Sequence, residues 1–215
     1  MKVKAHPQKT RRAQSLVEFA IALPVLILLL LGMVEFGFML NTYLSLQDAA
    51  RAAARRYSTI NPFNADDTDN LAYYQAAAQN VVDTLMPSDD PGARQIPVDA
   101  TRDNILISLV SIKVDKTTST ISSVTRHPTG EQYYKLYGDT DPPSAYSDTS
   151  IESLMTANGA VPANAGMLIV EIYYSYEGVI NTPVTTPFMS DSNPVMLYVS
   201  SIMPITYVKP LDSAP

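Results

Sequence analysis

Two carboxylates stand where carboxylates are rarely tolerated. The stretch Phe19 to Leu40, FAIALPVLILLLLGMVEFGFML, is apolar, glycine or proline at every position except Glu35, and Glu18 stands directly before it. An unpaired charge in hydrocarbon costs at least about 2.5 to 3.5 kcal/mol, so each acid must find water, a dipole or a partner. Glu18 falls in the first turn of a helix that begins near Ser15, where the positive end of the helix dipole favours an anion. Glu35 falls toward the far edge of the stretch. It either reaches water there or meets a basic group on a neighbouring helix, with Gly32 and Gly37 allowing close approach.

Elsewhere the reactive inventory is thin. There is no cysteine, which excludes a disulfide framework, a thiolate zinc site and a cysteine nucleophile. His6 and His127 are the two histidines; a Ser-His-Asp relay would have to use His127, whose continuation Pro128-Thr129-Gly130 reads as a turn. No glycine-rich phosphate loop, HExxH or nucleophile elbow occurs. Asp66, Asp67 and Asp69, or Asp139 and Asp141, offer oxygen ligands for calcium, but neither set has the loop length and closing glutamate of an EF-hand. Helix caps and solvated turns explain both. No enzyme, metal or cofactor is expected.

The apolar stretch sets the element that positions the two acids. A hydrocarbon core of about 30 Å needs roughly 20 apolar residues in a helix, and the run meets that length. It continues without a break into NTYLSLQDAARAAARRY, Asn41 to Tyr57, which is alanine-rich and free of glycine and proline. That continuity indicates an uncleaved anchor rather than a signal peptide. Tyr43, Leu46, Ala50, Ala53 and Tyr57 recur at helical spacing on one face. One helix from about Ser15 to about Tyr57 would be roughly 65 Å long, half in lipid and half outside with a stripe to bury. Pro24 removes one backbone donor and can loosen the first half. Arg51, Arg55 and Arg56 read as a solvated or self-paired stripe, with anionic lipid or an acidic partner as the alternative.

Charge orients the anchor. Residues 1–13 carry Lys2, Lys4, Lys9, Arg11 and Arg12 with no acid, whereas the rest of the chain has ten basic against 21 acidic residues. The basic flank belongs on the cytoplasmic side, so the remainder is exported. An acidic body argues against nucleic acid as its partner.

The junction Arg11-Arg12-Ala13-Gln14-Ser15-Leu16-Val17-Glu18-Phe19 is the most specific feature. A basic leader, a small residue and then a segment whose fifth residue is Glu and sixth aromatic resembles the processing site of type IV pilins. The Glu-Phe pair and its continuation LVEFAIALPVLILLLLGMVEFGFMLNTYLSLQDAARAAARRY resemble the TadE/TadG-like pseudopilins of Tad (tight adherence) systems, over about residues 10 to 58. The resemblance implies a minor, pilin-like component of a Tad pilus apparatus in the inner membrane, with cleavage between Ala13 and Gln14 by a prepilin peptidase. Alanine stands here where the family usually has glycine. It also implies that Glu18, beside Phe19, pairs with the new amine of a neighbouring subunit. The implied partners are the lipid membrane, prepilin peptidase, Tad assembly proteins and other pilin-like subunits, including further copies of this chain, in filament formation and adhesion. The alternative is a solitary membrane-anchored extracytoplasmic binding module.

Three segments follow: the leader 1–13, the long helix 14–57 and an exported domain 58–215. In the last, Pro62 and the acidic run Asp66, Asp67 and Asp69 end the long helix and cap the next. Leu71, Tyr74, Ala78, Val81, Val82 and Leu85 mark an amphipathic helix from Leu71 to Met86. Ile105, Ile107 and Leu109 alternate, then Val110, Ile112 and Val114 alternate in the opposite phase, which suggests a strand bulged near Leu109. Thr118 to Thr125 can hairpin back onto it, and Gln132 to Tyr137 is a shorter strand. Thr149 and Glu152 have the capping-box form for a short helix, Ser150 to Ala157. Met167 to Tyr176 places Leu168, Val170, Ile172, Tyr174 and Tyr176 on one face, and Val195 to Val208 adds one or two strands interrupted at Pro204. The expected fold is α+β: a long N-terminal helix packed on a C-terminal antiparallel sheet, as in pilins. Tyr133, Tyr134, Tyr173, Tyr174 and Tyr176 form either part of its core or an adhesive surface.

Overall fold

The computed structural model describes residues 10–90, 92, 94–115, 117–157, 165–180 and 185–205, with residues 10–13 as helix backbone. The α+β layout is present. Helix α1, Thr10–Tyr57, is a single element of 48 residues that runs through Pro24. Five strands follow in an antiparallel sheet: β1 (Asn104–Asp115), β2 (Thr120–His127), β3 (Tyr134–Leu136), β4 (Ala165–Tyr176) and β5 (Val195–Ile205). Helices α2 (Leu71–Leu85) and α3 (Asp148–Met155) complete the described elements. The chain divides into two compact units, and the boundary falls inside α1, between Asn41 and Thr42.

The first unit contains α1 up to Asn41 together with Tyr176–Val195. Sixteen large apolar side chains between Leu16 and Leu40 are exposed on this part of the helix. At about 2 kcal/mol each on burial, they would forfeit about 30 kcal/mol in water, more than the about 5–15 kcal/mol that holds a whole domain folded. This half of α1 is one helix long and apolar enough to cross a membrane.

The second unit is built on the sheet, whose order is β2-β1-β4-β5 with β3 also paired to β1. β1 is buried on both faces from Asn104 to Ile112. The two alternating sets that suggested a bulge near Leu109 are therefore the two faces of one regular strand. The β1–β2 register runs unbroken from Leu109↔His127 to Lys113↔Ser123 and shifts only between Lys113 and Val114.

On one face, Val110, Ile112 and Ile169 pack with Ile151 of α3, joined by Met155, Met167 and Tyr146. The other face, with Ile105, Ile107 and Leu109, looks toward α2. Tyr134, the register partner of Ile107, stacks on Tyr74 of α2 with centroids 6.4 Å apart. Leu168, Val170, Ile172 and Tyr174 of β4 are buried as the alternation requires. The outer stretch of α1 buries Leu46, Ala49, Ala50, Ala53 and Ala54 completely. Tyr57 ends this stretch against Tyr73 of α2, whose hydroxyl donates to the Tyr57 carbonyl at 2.8 Å.

Both predicted caps are displaced. Asn70, not the acidic run, caps α2, its side chain accepting from the Ala72 amide at 3.1 Å. Ser147, not Thr149, caps α3 by accepting from the Ser150 amide at 3.2 Å. In each case the residue with extended backbone just before the first turn takes the role, as capping geometry demands. β5 runs through Pro204 as one strand to Ile205, and the predicted remainder to Val208 lies outside the described residues.

Candidate functional site

The N-terminal acid sits on a bare helix. The amide nitrogen of Gln14 donates to Glu18 Oε1 at 3.1 Å, one turn apart on the same face. Glu18 is exposed, as is Phe19 at 59%. Ile21, Ala22, Val25 and Leu26 form a shallow apolar groove beside the carboxylate. The bond between Ala13 and Gln14 lies inside α1, and the side chain of Ala13 is outside the described residues. A peptidase acting there must open the first helical turns, where the amides lack intrahelical partners and the helix is easiest to fray.

Glu35 has surroundings that neither sequence reading anticipated. It is 2% exposed, although its neighbours Val34 and Phe36 on the helix are exposed. What covers it within its own unit is the segment after β4. Tyr176 Oη donates to Glu35 Oε1 at 2.8 Å, the amide of Val179 donates to the same oxygen at 2.9 Å, and the amide of Ile180 donates to Oε2 at 2.8 Å. These bonds fix the turn after β4 on α1. Gly178 sits closely inside that turn: a Cβ there would come 3.0 Å from the Met189 carbonyl, so the neighbour would have to shift by a few tenths of an ångström.

Gly32 joins Glu35 in lining an apolar groove with Leu28, Leu31, Phe188 and Met189. A Cβ at Gly32 or Gly37 would meet nothing within 4 Å, so the helix surface is open at both. The sequence signal for the Glu35 clamp was slight: a strand ending in Tyr176 and followed by Glu177-Gly178.

The second unit holds a closed polar cluster at His127. Its Nδ1 lies 2.9 Å from Asp69 Oδ1, and Asp69 Oδ2 accepts from both the amide and the hydroxyl of Thr129 at 2.6 Å. Phe63 packs edge-on against the imidazole at 5.2 Å. Partial burial of Asp69 opposes ionisation, but the two Thr129 donors, then His127 and Tyr74, outweigh it and hold the carboxyl below its ordinary 3.8. The Thr129 hydroxyl, 3.4 Å from His127 Nδ1, is thus engaged by the acid. The cluster clamps the 127–130 turn to the segment before α2.

The second acidic set is likewise engaged. The Lys135 ammonium contacts Asp141 Oδ1 at 2.5 Å and the carbonyls of Gly138 and Thr140 at 3.1 and 3.0 Å, a cation already seated among these oxygens. Among the described residues no group of three or more metal-ligating side chains occurs. Of the five tyrosines, Tyr174 and Tyr176 are buried. Tyr133 and Tyr173 donate to the carbonyls of Pro142 and Pro143.

A further buried acid escaped notice in the sequence. Glu171, 0% exposed, accepts from the Ser144 hydroxyl at 2.5 Å, the Ala145 amide at 2.9 Å and the Tyr198 hydroxyl at 2.8 Å. It ties the 142–146 loop to β4 and β5. In sequence it is one polar residue in an apolar strand.

The family model described as TadE-like protein matches residues 13–55, about a fifth of the chain. That match covers Gln14, Glu18, Phe19 and Glu35. No curated protein and no solved structure matches the chain. A TadE-like segment on the one helix suited to cross a membrane fits a single-pass, membrane-anchored, Tad-related protein.

Proposed function

We propose that this chain, whose membrane helix is TadE-like, serves as a pilin-like structural subunit or assembly component of a Tad-type pilus. The observation that carries the reading is the bare apolar surface of α1 from Leu16 to Leu40 with Glu18 at its head. In this reading the N-terminus is cytoplasmic, the helix is held in the inner membrane and the sheet-bearing unit is exported. Prepilin peptidase cuts between Ala13 and Gln14 and creates an ammonium one turn from Glu18. Glu18 then neutralises the ammonium of a neighbouring subunit. The cost of leaving either charge unpaired in hydrocarbon, at least about 2.5 to 3.5 kcal/mol, selects the register in which they meet. Phe19 and the groove from Ile21 to Leu26 supply the apolar contact beside that pair, and the open surface at Gly32 and Gly37 lets a second helix approach.

Replacing Glu18 by Ala is the direct test. The variant should still insert in the membrane but fail to co-purify with other pilus components, and normal assembly would refute the reading. A second reading, a solitary anchored binding module, draws support from an open pocket in the second unit between Tyr133, Tyr134, Lys135, Glu131 and Asp141. It predicts that Glu18→Ala is silent and that substitutions at Tyr133 are not.

A further inference from the structure

The clamp on Glu35 places a second apolar element beside the span. Phe188 and Met189 share a groove with Leu28, Leu31 and Gly32. Gly32 and Leu28 precede Glu35 by three and seven residues, which is about 4.5 and 10.5 Å of helix toward the interior of the apolar stretch. The turn therefore lies alongside a part of α1 that belongs in hydrocarbon. Phe188 itself is 69% exposed and Val179 is also exposed. In water these side chains would have no reason to stand out next to a bare helix.

Among the described residues of this segment the following backbone groups are paired, which matters in an apolar medium, where each unsatisfied amide or carbonyl costs several kcal/mol. The Val179 and Ile180 amides go to Glu35. The Phe188 and Met189 amides both donate to the Thr185 carbonyl at 2.9 Å. The Thr185 hydroxyl donates to the Ile180 carbonyl at 2.5 Å, and the Asn193 side chain donates to the Pro187 carbonyl at 3.0 Å. Ser190 and Asn193 exchange backbone bonds at 3.2 and 3.0 Å and close the segment. The apolar Pro187-Phe188-Met189 is flanked by polar residues on both sides, Thr185 and Thr186 before it and Ser190, Asp191, Ser192 and Asn193 after it, as in a short element that enters a bilayer and leaves it.

We propose that Pro187-Phe188-Met189 is a second membrane-inserted element, a wedge that enters the leaflet on the Glu35 side of the span and is held there by the Glu35 clamp. Its partner is the acyl-chain region of the lipid. The proposal rests on α1 spanning the bilayer, so the test reads the two separately.

The protein contains no tryptophan, so single tryptophans report without background. Full-length Phe188→Trp, Leu26→Trp and Ile60→Trp are reconstituted in phosphatidylcholine vesicles with and without brominated acyl chains. Leu26 reports the span and Ile60, exposed in the second unit, is the aqueous control. Bromolipid should quench Leu26→Trp and Phe188→Trp by about twofold or more, as expected for side chains seated among acyl chains, and leave Ile60→Trp unchanged. Quenching of Leu26→Trp alone overturns the wedge and leaves the anchor standing. Quenching of neither overturns the wedge together with the spanning helix. Phe188→Trp that is shielded from aqueous iodide yet unquenched by bromolipid would be covered by protein, most simply a second copy, and also overturns the lipid assignment.

Discussion

Tyr176 and Glu35, 141 residues apart in sequence, share a hydrogen bond of 2.8 Å that fastens the end of β4 to the membrane helix. Among the described residues the bond is one of three on that carboxylate, and the other two come from the backbone amides of Val179 and Ile180. Removing the phenol and removing the acid should thus differ greatly. Tyr176→Phe should cost about 1 kcal/mol, one ordinary net hydrogen bond, whereas Glu35→Ala strands three donors and should cost about 3 kcal/mol or more. Limited proteolysis of the 177–194 segment in vesicles reads the opening equilibrium. Cleavage of Glu35→Ala should be about a hundredfold faster than wild type and that of Tyr176→Phe only several-fold faster. Equal rates for the two variants would show that the clamp does not hold the turn.

Asp69 makes stability fall with acid. Its carboxyl is held below the ordinary 3.8, so its contribution is present in full above that value and is lost as pH falls through the depressed folded-state value. Asp99, lowered by the Thr101 hydroxyl and amide and by the Arg102 guanidinium, and Asp115, lowered by the amides and hydroxyls of Thr117 and Thr118, act in the same sense. Asp103, raised chiefly by burial, acts in the opposite one. Thermal unfolding of the full chain in micelles should show Asp69→Asn well below wild type at pH 6. The gap should close as pH drops beneath 3.8, and a gap independent of pH would contradict the linkage.

Gly138 has no room for a side chain. Its φ is +78°, and a Cβ would fall 2.0 Å from the Asn104 Oδ1 atom at the start of β1. Gly138→Ala combines left-handed strain with overpacking and should cost about 3 kcal/mol. Adding Asn104→Ala should recover most of the overpacking part but not the backbone part. The unfolding free energies of the two singles and the double give the coupling.

Processing at the leader predicts a mass. Protein taken from the membranes of its own cells should begin at Gln14, with the amine that Glu18 requires. An N-terminus at Met1 or Lys2 would leave Glu18 with its Gln14 contact and without a charged partner of this origin. Intact mass with N-terminal sequencing decides it.

What was legible in the sequence was what local pattern determines. The helix to Tyr57 is announced by an apolar run that passes into alanine-rich sequence without a breaker. The alternation in β4 gives one of its two buried faces directly. β1 misled because a strand covered on both sides has two complete apolar phases, and sequence reads the second as a slip. The caps were missed by a few residues because several acceptors compete near each helix start and backbone conformation chooses among them. The partners of Glu35 and the burial of Glu171 were missed for another reason. Their donors are mostly backbone amides and tyrosines brought in by tertiary folding, and no spacing in the chain encodes such an encounter. Glu18, by contrast, has its described partner one helical turn away, and its placement on an exposed face follows from helix geometry alone.

Pro204 bears on whether copies of this chain can pair sheet edge to sheet edge. Among the described residues β5 is the outer strand of the sheet, and Pro204 interrupts its row of amide donors near its end. At the opposite margin, β2 meets β1 through a register shift. Strands that are short of donors or irregular make poor templates for a strand from another molecule. Fibril-like stacking and donated-strand polymers are thereby discouraged. Association between copies is left to other surfaces, such as the bare apolar face of α1.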